Sequence, residues 1–152
     1  IERPGLATAM RRELWLYPSV EIVHIWGFVL LVGSIAMLDL RLLGLSSRVP
    51  VRELARHLLP WTLGGLLLIV PSGLLMFIAH ADDFITNRAF VLKLTLIFAA
   101  GLNAVFFHLG SYRTVANWNV GVATPISARL HAVLSLMLWM GVIACGRLLA
   151  YL

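Results

Sequence analysis

The sequence contains four long apolar stretches in which charged side chains are rare. A chain that crosses a bilayer as an α-helix needs about 20 mostly apolar residues, because each residue advances about 1.5 Å and the hydrocarbon core is about 30 Å thick. Charged residues delimit four predicted spans, at residues 19–43, 57–81, 88–112 and 126–152. The sequence therefore predicts an all-α integral membrane protein, an up-down-up-down four-helix bundle in a single transmembrane domain over residues 1–152.

Composition agrees with this prediction. The chain is 61% hydrophobic and 12% charged, whereas a soluble domain is about half apolar and about a quarter charged. The net charge of +5 could indicate nucleic-acid binding, but the basic residues are scattered near span ends, with no run longer than Arg11-Arg12. Such scattering is typical of anchoring to lipid headgroups. We therefore expect a lipid bilayer environment, no nucleic-acid partner, and no length within these residues for a soluble catalytic domain.

The connections between spans predict how the helices are arranged. Short connections at residues 44–52 and 82–87 predict that consecutive helices are antiparallel neighbours. The connection at residues 114–125 is longer and polar, and we expect it to lie on the membrane surface. Before the first span, Leu6, Met10 and Leu14 recur every four residues, which predicts a short N-terminal interfacial helix.

Four spans place both termini on one side of the membrane, which we call side A; the first and third connections lie on side B. Five arginines fall on side A and six on side B. Because positive residues accumulate in cytoplasmic loops, this distribution favours a cytoplasmic side B and periplasmic termini.

Ionisable residues within the spans are the main functional signal, because such side chains are rare and costly in a bilayer. Every histidine lies in or at the edge of a span, together with one lysine: His24, His57, His80, Lys93, His108 and His131. From the helical rise, His24 and Lys93 lie roughly 10 Å from the midplane on side A, with His80 nearer the headgroups. On side B, His108 and His131 lie about 12 Å from the midplane, with His57 further out.

Two histidines at matching depth on facing helices are what a b-type haem requires. The best pair is His108 with His131, and His57 is the reserve. On side A the expected iron ligands are His24 and, opposite it, His80. Lys93 would then be a propionate partner, a proton carrier or the second ligand.

Structural roles are the alternatives for these residues. Histidines at span ends, such as His57 and His80, are commonly interfacial. Arginines near the histidine layers, such as Arg41 and Arg129, could pair with haem propionates, although snorkelling to headgroups is the more common arrangement. Imidazoles could also bind copper or zinc, but no acidic or sulfur ligand is closely spaced with them, and Cys145 is the only cysteine. It therefore forms neither an intramolecular disulfide nor a cysteine cluster.

Small residues occur within the spans at Gly27, Gly33-Ser34, Gly64-Gly65, Gly73 and Gly101. They allow close approach between helices, or between a helix and a flat ligand. Helix packing is the expected role.

Three segments carry a resemblance to known proteins: "LWLYPSVEIVHIWGFVLLVGSIAMLDLRLLG", "FVLKLTLIFAAGLNAVFFH" and "LSLMLWMGVIACGRLLAYL". Over about residues 14–152 the chain resembles an uncharacterised family of four-helix bacterial inner-membrane proteins. More distantly, a first-span histidine followed by glycines, and a third-span Lys-Leu with a histidine about four turns later, is similar to the haem-containing membrane protoporphyrinogen oxidase and to the membrane domain of copper-resistance protein D. On that resemblance His24, Lys93 and His108 match the pattern.

The leading functional hypothesis is a membrane b-type cytochrome with one or two b haems that transfers electrons between quinol and a partner protein, with quinone as a further candidate ligand. We expect it to act as an electron-transfer subunit of a larger complex or as a homo-oligomer, rather than as a self-contained enzyme. One alternative is a haem-dependent enzyme like protoporphyrinogen oxidase. Another is a cofactor-free accessory subunit or a copper-handling membrane protein.

Overall fold

The computed structural model describes Gly5, Thr8, Met10, residues 12–149 and Tyr151. Four long helices dominate it: α1 (Leu16–Leu42), α2 (Val51–Ala79), α3 (Arg88–Leu109) and α4 (Ile126–Leu148). Each is long and apolar enough to cross a membrane, and the described residues include no β-strand. The predicted all-α fold class with four spanning helices is confirmed, and the chain is a multi-pass membrane protein.

The N-terminal segment is described only in part. Leu6, on which the predicted interfacial helix depends, lies outside the described residues. Met10 is helical and buried, whereas Leu14 is in a turn and 80% exposed.

The connections contain short helical segments of their own. A five-residue helix, Ala81–Ile85, joins α2 to α3, and a 3-10 turn, Ser111–Thr114, runs into a helical turn, Val115–Trp118, after α3. The helix α2 begins six residues before the predicted span, because the charged residues that delimited the span occupy its first two turns and are helical rather than loop. They include Glu53, whose negative charge suits the positive end of the helix dipole.

The helices pack in the order α2, α1, α4, α3. In the described residues, α1 packs against both α2 and α4, and α4 also packs against α3. α2 and α3 touch at the side A end, where the rings of Phe77 and Phe90 stack with a centroid separation of 5.8 Å. The prediction of antiparallel neighbours is therefore confirmed for α1 with α2 and for α3 with α4, whereas α2 and α3 meet at their side A ends and diverge beyond them. The intervening helix Ala81–Ile85, rather than a tight turn, separates these two helices. The bundle is consequently open between α2 and α3.

Two glycines bring α1 and α2 together. A Cβ atom on Gly27 would lie 2.7 Å from Leu68 Cβ, and one on Gly65 would lie 2.7 Å from the backbone nitrogen of Leu31. Any side chain at either position would clash with the opposing helix. The predicted packing role of glycine is therefore confirmed where α1 and α2 cross. At Gly64 and Gly101, in contrast, an added Cβ would meet nothing within 4 Å.

A buried arginine, Arg41, joins two of the connections at the side B end of the bundle through hydrogen bonds. Arg41 is 3% exposed, and its Nε donates to the carbonyl of Val49 at 2.6 Å. Its Nη2 donates to the carbonyls of Ser47 and Asn119, each at 3.1 Å. These bonds tie the first connection to the third, and Arg41 is therefore a structural clamp rather than a snorkelling residue.

Candidate functional site

A central cavity of about 350 Å³ lies among the four helices. It is within the size range of about 300–1,000 Å³ typical of small-molecule sites. α2 and α3 both line it, and they touch each other through Phe77 and Phe90 at the side A end, away from the cavity. The cavity therefore faces the lipid between these two helices. Most of its lining is apolar, and the polar residues in it are Ser34, Asp39, Thr62, Asn103, His108, His131 and Ser135.

The tautomer of His131 is fixed by Asn103. Asn103 Nδ2 donates to the main-chain oxygen of His131 at 2.9 Å, so the other end of the amide is its oxygen. That oxygen lies 2.7 Å from His131 Nδ1 and can only accept. The proton is therefore on Nδ1, and Nε2 carries a free lone pair. A partner that orients an imidazole in this way is typical of histidines that bind a metal or a ligand through the other nitrogen.

Asp39 contributes a carboxyl group of which one oxygen has no hydrogen-bond partner among the described residues. The residue is 6% exposed, and Ser135 hydrogen-bonds to its carboxylate. The Oδ2 atom is buried and has no hydrogen-bond partner among the described residues. Leaving a buried acceptor unpaired costs about 1–3 kcal/mol, and more for a charged group. A ligand in the cavity that donates a hydrogen bond to Asp39 Oδ2 would remove this cost.

The histidine pair predicted for side B shares the central cavity. Both imidazoles contact the buried ring of Phe107, with centroid separations of 5.3 Å for His108 and 5.9 Å for His131. They come from α3 and α4, which pack directly on each other. The structure therefore brings the pair together on adjacent walls of one cavity, not on opposite walls.

A second cavity, of about 160 Å³, lies nearer side A among α1, α3 and α4. We call it the side A cavity, and it is lined by His24, Ile25, Phe28, Lys93, Val142, Ile143 and Gly146. His24 comes from α1 and Lys93 from α3, the two helices that flank α4. No described carboxylate forms an ion pair with Lys93, so an ammonium group lies within a span without a counter-charge.

His24 is oriented in the same way as His131, by a different partner. Its Nδ1 lies 2.9 Å from Ser72 Oγ. The hydroxyl proton of Ser72 is already donated to the main-chain carbonyls of Leu68 and Ile69, so Ser72 can only accept from the imidazole. The proton of His24 is therefore on Nδ1, and Nε2 is the free nitrogen.

A glycine makes room for this imidazole. A Cβ atom on Gly73 would lie 3.2 Å from His24 Cε1, closer than an ordinary contact. The ring of His24 thus rests against the bare backbone of α2, so Gly73 allows close packing between α1 and α2, the role expected of glycine in these spans.

The other two histidines lie elsewhere. His80 caps the end of α2, and its ring packs edge-on against Tyr17 at 5.1 Å. Tyr17 precedes His24 by seven residues, or about 10 Å along α1, so the structure does not bring His80 beside His24. His57 is exposed in the second turn of α2 and lines neither cavity.

An aromatic pair lies between the two cavities. The rings of Phe28 and Trp139 meet edge to face with a centroid separation of 6.3 Å. Phe28 lines the side A cavity and Trp139 lines the central cavity. The two cavities are thus separate but joined by a direct packing contact between α1 and α4.

Sequence reasoning missed the residues that orient the histidines. Ser72 and Asn103 are uncharged polar residues within apolar spans, and that was the available signal. Asp39 is an ionisable residue near the end of a predicted span, a position that gives no sign that one of its oxygens is buried and unpaired.

Comparison with known proteins gives one match. The model of a family of unknown function, DUF6644, matches residues 16–152 and so covers all four long helices. No curated protein matches the chain, and no solved structure matches it.

Proposed function

We propose that the chain, which belongs to the DUF6644 family of unknown function, is a membrane b-type cytochrome that transfers electrons between a quinol and a partner protein. The resemblance in its sequence favours a bacterial inner membrane, and the arginine distribution favours periplasmic termini. In this proposal one haem binds in the side A cavity. The protein acts there as an electron-transfer subunit with a redox partner.

One observation carries the proposal: the free Nε2 of His24 and the unpaired ammonium of Lys93 line the same cavity. A b-type haem needs an imidazole nitrogen for its iron. Its propionates are anions that pair well with a cationic side chain. The two residues supply both groups, and so the donor set suits a haem. The cavity of about 160 Å³ is smaller than the macrocycle, so haem binding requires α1, α3 and α4 to move apart around it.

The surroundings of His24 suit an iron ligand. Ser72 fixes the tautomer and the ring plane, so no rearrangement of the imidazole is needed on binding. Outer partners of this kind raise metal affinity by about 10- to 100-fold. Gly73 leaves the ring face uncovered by any side chain of its own. Bound haem supplies a one-electron iron couple, and the chain's own residues hold and orient it.

Lys93 has a separate role. An unpaired ammonium within a span is costly, and the described residues provide no counter-ion. A propionate would offset that cost and fix which edge of the macrocycle points towards α3. Lys93 therefore positions the group, whereas His24 binds the iron.

The proposal includes one haem rather than two. The predicted side B ligands, His108 and His131, lie on adjacent cavity walls, and the ring of Phe107 contacts both. An iron bound by both would require imidazoles that face each other across the macrocycle. We therefore propose that the central cavity binds a ligand other than haem.

The test is haem content in purified variants, measured by the pyridine haemochrome assay. We expect wild-type protein to hold b haem and His24→Ala to lose it. The controls are His57→Ala and His80→Ala, which should keep the full content because neither residue lines the side A cavity. Equal haem content in His24→Ala and wild type would contradict the assignment of the ligand.

A second candidate function rests on the same cavity. His24 and Lys93 are two of the three residues that carry the resemblance to protoporphyrinogen oxidase, and they lie together here. A haem-dependent oxidase of that type would use Lys93 towards substrate carboxylates. Oxidation of protoporphyrinogen by the purified protein, lost in Lys93→Met, would favour this candidate over the electron carrier.

A further inference from the structure

We infer that the central cavity binds the quinol, and that Asp39 and His131 hold its hydroxyl groups. The inference rests on the proposed function, in which a quinol is the electron donor, and it names the site for that donor. Two hydrogen-bond acceptors in the cavity, Asp39 Oδ2 and His131 Nε2, receive no hydrogen bond from the described residues.

The first acceptor is Asp39 Oδ2. It belongs to a side chain that is 6% exposed and that lines the cavity. It is buried without a hydrogen-bond partner among the described residues. A carboxylate oxygen in this position is satisfied only by a donor that the cavity receives from outside.

The second acceptor is His131 Nε2. The bond from Nδ1 to Asn103 leaves this nitrogen without a proton, and no described residue donates to it. Ser135, which bonds to Asp39, follows His131 by one turn on the same face of α4. Residues so spaced on a helix have Cβ atoms about 5–6 Å apart, so the two acceptors belong to one polar cluster.

The remaining hydroxyls near this cluster are already satisfied. Ser34 and Thr62 lie 2.7 Å apart, oxygen to oxygen, and each also bonds a main-chain carbonyl of its own helix. They add little demand for a ligand. The demand comes from the two acceptors.

The ligand that meets this demand has a flat apolar body and two hydroxyl donors. A quinol has both, with its hydroxyls at opposite ends of the ring. A quinone of the same size offers only acceptors and has no hydrogen to donate to Asp39 Oδ2 or His131 Nε2. The two free acceptors therefore favour binding of the quinol over binding of the quinone.

Access and position agree with a lipid-soluble ligand. The cavity faces the bilayer between α2 and α3, which touch only at the side A end among the described residues, so a quinol can enter sideways from the membrane. Trp139 at its inner end contacts Phe28 of the side A cavity. A quinol bound here lies next to the proposed haem site.

The test is binding of a short-tailed hydroquinone and of its quinone to the detergent-purified protein, by titration calorimetry under anaerobic conditions. The variants are Asp39→Leu, which removes the acceptor while keeping the side-chain shape, and His131→Asn, whose amide can still donate to Asn103 but lacks an atom at the Nε2 position. The matched control is Thr62→Val, in the same cavity. We expect the hydroquinone to bind tighter than the quinone, and Asp39→Leu to weaken hydroquinone binding by about tenfold or more. His131→Asn should also weaken it, and Thr62→Val should leave it unchanged.

A thermal unfolding scan separates a ligand site from a structural role. If Asp39 serves the ligand, Asp39→Leu should unfold at the same or a higher temperature than wild type, because an unpaired buried acceptor is removed. Lower stability together with unchanged hydroquinone binding would overturn the inference. Equal affinity for quinone and hydroquinone would also overturn it.

The two proposals fail separately. Titrating the haem-free His24→Ala variant with hydroquinone isolates the central cavity. Hydroquinone binding by His24→Ala would support the cavity assignment, and wild-type protein that binds hydroquinone but holds no haem would refute the proposed cytochrome alone. Haem-loaded protein that binds no hydroquinone would refute the cavity assignment alone.

Discussion

Replacing Ser72 with alanine should weaken haem binding without unfolding the protein. In the structure Ser72 Oγ accepts the Nδ1 proton of His24 at 2.9 Å, and the pair is largely shielded from water. The variant leaves that N–H without this acceptor, and an unsatisfied buried donor costs about 1–3 kcal/mol. At about 1.4 kcal/mol per tenfold change, the dissociation constant should rise by about five- to a hundredfold.

The assay is titration of haem-free protein with haemin, followed by absorbance. Ser34→Ala is the matched control, because Ser34 is also a buried serine that donates to a carbonyl of its own helix, but it does not contact an imidazole. Its haem affinity should equal that of wild type. If Ser72→Ala binds haemin as tightly as wild type, or if both variants weaken equally, Ser72 does not orient an iron ligand and the reasoning about the tautomer fails.

Three further predictions concern stability and charge. Gly65→Leu should lower the unfolding temperature in detergent, since its Cβ would lie 2.7 Å from backbone and overpacking costs about 1–3 kcal/mol; Gly101→Leu, at an open position, should not. Arg41→Met should destabilise the protein by about 1.5–3 kcal/mol, because three main-chain carbonyls lose a charged donor, and unchanged stability in a denaturation series would refute the structural role of Arg41. Lys93→Met should stabilise the haem-free protein, whose ammonium is unpaired, yet lower its affinity for haemin; a loss of both would point to a purely structural lysine.

Much of the fold could be predicted from the sequence because the bilayer dictates it. A span must satisfy its backbone internally and present apolar side chains to lipid, so hydropathy alone located four helices. Hydropathy did not reveal that α2 and α3 diverge beyond their side A ends. That depends on the short helix Ala81–Ile85 in a connection that looked like a tight turn.

For the candidate site, the sequence could predict only the depth of each ionisable residue in the membrane, not which residues contact one another. Helical rise placed His24 and Lys93 at one level, and the structure puts them in one cavity. The same reasoning paired His24 with His80, but the end of α2 holds His80 against Tyr17, about two turns away.

The partners of the histidines were beyond sequence reasoning for a geometric reason. Ser72 is 48 residues from His24, and Asn103 is 28 residues from His131. Finding such contacts requires the rotation of each helix about its axis, and an apolar span with lipid on most sides gives no amphipathic stripe from which to read it.

The most direct test of the account is the haem content of the detergent-purified wild-type protein, from a reduced-minus-oxidised spectrum combined with a pyridine haemochrome assay. The account predicts the spectrum of a b-type haem at one haem per chain, held through His24. Two haems per chain would contradict the assignment of the central cavity to a quinol, and protein without haem absorbance would contradict the proposed cytochrome.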